Sequence, residues 1–379
     1  MDFRWGAAAE ALRQEARAFV AAELTDAIRA RIDATGVHHD AGFCRKLAQR
    51  RWIAPSWPVA EGGLGLPPLE ALALAEELQY AGAPLHGVGT SRICVGVVKE
   101  LGGELLAQRI VPGFLAGEIV IAQGWTEPEC GSDVAAARTR AVRDGNEWVI
   151  NGAKMFTTNA SVADYVLLLT RTDAAAPKHR GLTMFLVPLD RDGIEVRPVH
   201  TVSGERTNLT FYEDVRVGDE WRVGAVNEGW NAMTVGLTTE RAGAFGGELA
   251  GLRDLFGPWA ASAGRANAQV RAGRLAAVTE ISLLLARRSA WAAQNGAQPG
   301  VEGSMAKLYD SEALTEQTAA LTDLLGPDGL RRAGDGSAPL SGQAEHFLRR
   351  ALGATIYAGT SEIQRSIIAE RGLGLPRGR

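Results

Sequence analysis

Apolar residues recur at three- and four-residue spacings from residue 7 to about 118, as in Leu12, Ala16, Phe19, Val20 and Leu24, which share one helical face. The pattern predicts an α-helical domain over 1–118. After Gly117 the period shortens towards two. The stretch "EWVINGAKMF" (147–156) reads as two extended runs around Asn151-Gly152, a dipeptide suited to a tight hairpin turn. Further strand-like runs follow at 164–170, 182–189, 193–199 and 208–217, each bounded by turn residues. They predict a β domain over 119–223, a small barrel or sandwich. Beyond Asn227 the helical period returns, with Leu275, Val278, Ile281 and Leu285 on one stripe and Leu314, Leu321 and Leu325 on another. A Gly/Pro/Ser-rich break at 326–339 precedes the last helices. This part, 224–379, is expected to be a four-helix-bundle-like domain, which makes the fold class α+β and multidomain.

Composition narrows the field. A chain of 379 residues exceeds one ordinary core, so two or three domains are expected. With 40 Lys plus Arg against 44 Asp plus Glu, no charge excess points to nucleic acid or to a membrane surface. Cys44, Cys94 and Cys130 are scattered, giving neither a disulfide framework nor the spacing of a metal centre. No metal site is expected, and a reducing, cytoplasmic location fits best. His200 and the pair His38-His39 have no partners at ligand spacing and read as surface or core residues. The N-terminus carries charges throughout, unlike a signal peptide, and no run approaches the about 18 apolar residues of a membrane span.

Three stretches offer chemistry. In "QGWTEPECGSD" (123–133), prolines and glycines set the turns while Thr126, Ser132 and free backbone N–H groups offer hydrogen bonds to a heterocycle edge or a phosphate. Phe156-Thr157-Thr158-Asn159 places a ring beside hydroxyls, a pairing that suits a flat cofactor. "YAGTSEIQR" (357–365) is a small-residue turn that opens a helix. Each alone is also compatible with an ordinary structural turn.

Together, in this order and on a helical, β, helical plan, the three stretches resemble the acyl-CoA dehydrogenase family of flavoproteins, over essentially the whole chain. The resemblance implies FAD between the β domain and the bundle, with an acyl-CoA thioester against it. By position it assigns Gln123, Trp125, Thr126, Gly131, Ser132, Phe156, Thr158, Thr360 and Glu362 to FAD. It assigns Ser132, Arg241, Ala358 and Gly359 to the substrate. Family members eliminate hydrogen across the α,β bond, a carboxylate taking the α-proton and the flavin the β-hydride. Many carry that carboxylate directly before Gly-Thr in the last turn, where this chain has Ala358. Branched-chain, long-chain and bacterial steroid side-chain members instead place it before the arginine of "LTTERAG" (237–243). Glu240 is therefore the expected base.

Two family features are missing. The Arg-x-x-Phe-Gly segment that reaches the FAD of an adjacent subunit is not found in 254–273, and a Gln-rich Gly-Gly turn is replaced by Asp323-Leu324-Leu325-Gly326-Pro327. A homo-oligomer and a heterotetramer with a related subunit both stay open, and an electron-transfer flavoprotein is the implied acceptor. A flavin oxidase or monooxygenase of the same architecture, and a non-catalytic partner subunit, are the alternative readings.

Overall fold

The computed structural model describes residues 4–240, 245–296 and 300–376; the side chains at 238–240 lie outside the description. Six helices come first: α1 (Ala7–Glu23), α2 (Asp26–Thr35), α3 (Ala41–Gln49), α4 (Pro68–Tyr80), α5 (His86–Leu101) and α6 (Gly103–Leu115). Local chemistry sets their ends. The Thr25 hydroxyl accepts from the amide of Ile28 to start α2, and Pro68 opens α4, where its missing N–H costs nothing. The stretch "EGGLGLPP" (61–68) is largely irregular ahead of α4.

Eight strands follow: β1 (Ile121–Gly124), β2 (Arg140–Asp144), β3 (Glu147–Lys154), β4 (Tyr165–Arg171), β5 (Leu182–Pro188), β6 (Ile194–His200), β7 (Arg206–Gly218) and β8 (Arg222–Val223). They form one hydrogen-bonded sheet in the order β6-β7-β3-β2-β4-β5-β8, with β1 parallel to β4. β4 and β5 are buried almost throughout, which explains their near-continuous apolar runs.

The Asn151-Gly152 hairpin is not formed. The tight turn lies at Gly145-Asn146, where Asp144 pairs with Glu147 and Gly145 takes φ +62°. β3 runs straight through Asn151-Gly152, which marks a register shift against β7. The Asn151 side chain is bound to Asp214, donating to its Oδ1 and accepting from its amide, both at 3.0 Å. A Cβ on Gly152 would lie 2.6 Å from Thr139 Oγ1, so glycine is needed for strand contact and not for a turn.

The C-terminal helices are α7 (Gly229–Glu240), α8 (Gly247–Ser262), α9 (Ala266–Gln294), α10 (Val301–Leu325), α11 (Gln343–Ala354) and α12 (Ser361–Ile367), which ends in a π turn over Ile368–Gly372. The expected stripe on α9 is also displaced. Ile281 is 44% exposed, and the inward face carries Ala268, Leu275, Thr279, Ser282, Leu283 and Ala286. Small and hydroxyl residues face inward because α4, α8 and α10 crowd α9, and Thr279 satisfies its hydroxyl by donating to Leu275 O at 2.8 Å.

The buried apolar residues fall into two cores. One joins the first six helices, the sheet and, through Ala232 and Met233, helix α7. The other is the bundle around Leu249, Leu252, Phe256, Leu314 and Leu321. The chain passes from one to the other between α7 and α8. Among the described residues no helix is long and apolar enough to cross a membrane.

Candidate active site

The loop after β1 is anchored by a buried ion pair. Lys154, fully buried at the end of β3, donates to Glu127 Oε1 at 2.8 Å and to the carbonyl of Trp125 at 3.2 Å. The amides of Arg138 and Thr139 donate to the two Glu127 oxygens at 2.7 and 2.9 Å, and the amide of Met155 donates to Thr126 O at 2.9 Å. Burial opposes the charge of Glu127, but Lys154 and these amides outweigh it and hold the carboxyl below its usual range. Burial draws the Lys154 ammonium below its usual range, with Glu127 opposing the fall. The sequence reading misses both residues, although Glu127 belongs to a stretch quoted for its chemistry and Lys154 to the stretch read as a hairpin.

On this base the loop presents its candidates. Trp125 is buried and Thr126 half-buried, while Gly131 and Ser132 are exposed. The buried Gln123 Nε2 and Trp125 Nε1 have no hydrogen-bond partner. Two orphaned donors two residues apart in the chain are costly in a finished interior and mark a place that acceptor atoms would complete.

Phe156 adopts φ +56°, rare for a bulky residue, and is 54% exposed, while its neighbour Thr157 is locked inward by reciprocal bonds with Asn208. Thr158 is half-buried, its hydroxyl 3.3 Å from that of Thr207, and Asn159 reaches Thr90 on α5 at 3.4 Å. An aromatic ring held out of the core and orphaned donors with no acceptor fit the flat, acceptor-rich edge of a flavin.

The last turn lies between α11 and α12. Ala358 and Gly359 both take positive φ, +55° and +85°, and Gln364 fixes them by donating to Ala358 O at 2.9 Å. Gln364 stands within the quoted motif, and the sequence reading assigns it no role. Thr360 accepts from Ile363 N to cap α12. Glu362 is exposed, its carboxyl held below the usual range by its own amide and by Thr360.

Helix α7 reaches the loop through Gly236. A Cβ there would lie 3.0 Å from Trp125 Cη2 and 3.2 Å from Val97 Cγ2, so the helix backbone packs closely against the indole at this point. Glu240 is the last residue of α7, one turn further on. Its side chain, and the whole of Arg241, lie outside the described residues. Gly236→Val is expected to cost about 1–3 kcal/mol by overpacking. Urea unfolding of the variant measures that cost.

The structure also gathers a charged cluster that the sequence reading does not foresee. His38 and His86 stack with centroids 4.8 Å apart, and each Nε2 lies 3.9–4.0 Å from Glu205 Oε1. His38 thus has partners, contrary to expectation, because His86 N donates to His38 O and Arg206 N to Gly36 O, bringing three distant segments together. These three side chains are spaced as metal ligands would be, but Arg350 donates to the same Glu205 oxygen at 2.5 Å and would oppose a cation there.

Burial, then the neighbouring His86, lowers His38 to about 4, with Glu205 opposing. The unfolded chain therefore binds more protons between pH about 6.5 and 4, and stability falls as pH drops through that window. In His38→Gln the slope of urea stability against pH should be shallower there.

Comparison with known proteins identifies the arrangement. Residues 7–118, 122–214 and 227–373 match the N-terminal, middle and C-terminal domains of acyl-CoA dehydrogenases. The chain is 32% identical over 395 residues to acyl-CoA dehydrogenase FadE26 of Mycobacterium tuberculosis, covering 97% of each protein. It is 32% identical to FadE29 of the same organism, covering 88% of each. Among solved structures it superposes on the Tcur3481-Tcur3483 steroid ACAD with a TM-score of 0.92 and 35% identity, covering all of both chains. It also superposes on the ChsE4-ChsE5 complex from Mycobacterium tuberculosis with a TM-score of 0.90 and 32% identity, again over all of both chains. The helical, β, helical chain, with its anchored loop and paired C-terminal turn, belongs to the acyl-CoA dehydrogenase family.

Proposed function

We propose that this acyl-CoA dehydrogenase binds FAD and converts an acyl-CoA to its trans-2-enoyl-CoA with Glu240 as the base. The observation that carries the reading is the contact of Gly236 with Trp125, which binds the helix ending in Glu240 to the end of β1 and the loop after it, where the two orphaned donors of Gln123 and Trp125 lie. Gln123, Trp125, Thr126, Gly131, Ser132, Phe156, Thr158, Thr360 and Glu362 would hold the flavin. When bound, it supplies an acceptor for the β-hydrogen and its electron pair. Glu240 takes the α-proton, so the α,β double bond forms as both hydrogens leave. Ala358 has no side-chain chemistry to offer, and its N–H, presented by the positive-φ turn, donates to the thioester oxygen and stabilises the charge that develops there. By the family resemblance, Arg241 and Gly359 would bind the substrate, and Ser132 its CoA arm.

The two-chain assemblies among the similar structures, Tcur3481-Tcur3483 and ChsE4-ChsE5, support a heteromeric holoenzyme acting on a steroid side chain. A second subunit would then supply the FAD contacts missing from 254–273, and an electron-transfer flavoprotein would receive the electrons, in the cytoplasm. The test is the visible spectrum of the purified protein, followed anaerobically during addition of acyl-CoAs. Bound flavin that bleaches with one class of thioester supports the reading. A protein that retains FAD yet bleaches with none of them overturns it.

A further inference from the structure

We propose that Gln364 is a positioning residue for the dehydrogenation: by holding the carbonyls of Ala358 and Gly359 it aims the Gly359 amide, beside that of Ala358, at the thioester oxygen. The inference rests on the dehydrogenase reading and adds to it a second donor and the side chain that directs it.

Gln364 lies in the first turn of α12 and is only 3% exposed. Its Nε2 donates to Ala358 O at 2.9 Å and, more weakly, to Gly359 O at 3.4 Å. Its Oε1 is buried and accepts no hydrogen bond, so the two carbonyls alone decide which end of the amide faces the turn. The turn is tied down on either side of the clamp: Ser361 N donates to Thr355 O at 3.0 Å, and the Thr360 hydroxyl caps α12. A Cβ on Gly359 would lie 2.7 Å from Gln364 Nε2, so the clamp closes on bare backbone.

A trans peptide points its C=O and the following N–H in opposite directions. Drawing Ala358 O towards α12 therefore turns the Gly359 amide away from Gln364, and holding Gly359 O does the same for the amide of Thr360. Because Ala358 and Gly359 both take positive φ, these amides and that of Ala358 line up on one side of the backbone, as a nest suited to an anionic oxygen. None of these amides donates to a group among the described residues. Ala358 is exposed and Gly359 half-buried, so the donor side is open to a ligand while the clamp behind it is closed off from water. Negative charge develops on the thioester oxygen as the α-proton leaves, and donors already fixed in direction stabilise it without reorganising. Ala358 has no side-chain chemistry, so the turn acts through its backbone, and Gln364 sets that backbone.

The experiment uses the FAD-loaded protein with an acyl-CoA that bleaches its flavin, and with the matching trans-2-enoyl-CoA carrying an isotope-labelled carbonyl. In the wild type the infrared band of the bound carbonyl should lie below that of the free thioester, because hydrogen bonds polarise it. In Gln364→Met the band should return towards the free position, and the limiting rate of anaerobic flavin reduction should fall roughly tenfold to a hundredfold, the cost of misdirected donors. The half-saturating acyl-CoA concentration and the FAD content should change by less than about threefold, since the donors act on charge that develops in the transition state. Gln364→Asn, a milder change that withdraws the amide by one methylene, should move band and rate in the same direction and serves where methionine disrupts folding. A wild-type band and rate in either folded variant overturns the inference and leaves the dehydrogenase reading standing. So does a rate that falls only in step with FAD content and thioester affinity while the band stays in place. A wild type that holds FAD and bleaches with no acyl-CoA overturns both.

Discussion

Glu240→Gln is expected to lower the rate of anaerobic flavin reduction by acyl-CoA by roughly 10²–10⁴-fold, the contribution of a positioned general base. Flavin content and thioester affinity should change little, because glutamine keeps the size of the side chain and no FAD contact is assigned to it. The size of the loss follows from the sequence of the last turn. Ala358 cannot take a proton, so nothing at that position can substitute for the lost carboxylate. Stopped-flow absorbance reads the reduction step alone, free of electron transfer to the acceptor. A variant that reduces its flavin at the wild-type rate would remove Glu240 from the chemistry and favour the oxygen-using reading of the same architecture.

Lys154→Met is expected to destabilise the protein by about 3–5 kcal/mol, the usual result of leaving one member of a buried ion pair alone. Glu127 would keep its two amide donors, but its charge would sit in the interior without a counterion. Urea unfolding of single and double variants separates the causes. Lys154→Met with Glu127→Leu should recover much of the loss, since neither charge then remains buried. Acid should weaken the wild type through the same pair. The folded Glu127 carboxyl lies below its usual value, so its contribution is complete above the unfolded pKa of about 4.3 and disappears as pH falls through the folded value. The loop bearing Trp125 and Thr126 stands on this pair, so retention of the proposed flavin should decline in parallel.

The fold was legible where one period dominates. Leu12, Ala16, Phe19, Val20 and Leu24 all pack inward or partly so, and the strand runs 164–170, 182–189, 193–199 and 208–217 all lie in the sheet. It was misread where a local signal competes with a tertiary one. Asn151-Gly152 has turn chemistry, yet Thr139 and Asp214 use it as a strand contact. On α9, close approach of three helices favours Thr279 and Ser282 over Ile281.

The site divides in the same way. Candidates in short contiguous motifs, such as Trp125, Phe156 and Thr360, come from their order along the chain. Glu127 with Lys154, and Glu205 with Glu248 and Arg350, are meaningful only as pairs across long sequence separations. No spacing rule in a single sequence shows such pairings.

The division of the apolar interior into two cores has a consequence for how the protein melts. The proposed flavin contacts come from both sides: Gln123, Trp125 and Phe156 from the sheet, Thr360 and Glu362 from the end of the bundle. A ligand spanning that seam is bound only while both cores are folded, so its binding energy acts as a clamp between two cooperative units. Calorimetry of the flavin-loaded protein then shows a single endotherm, and stripping the flavin lets the bundle unfold ahead of the sheet and its helices.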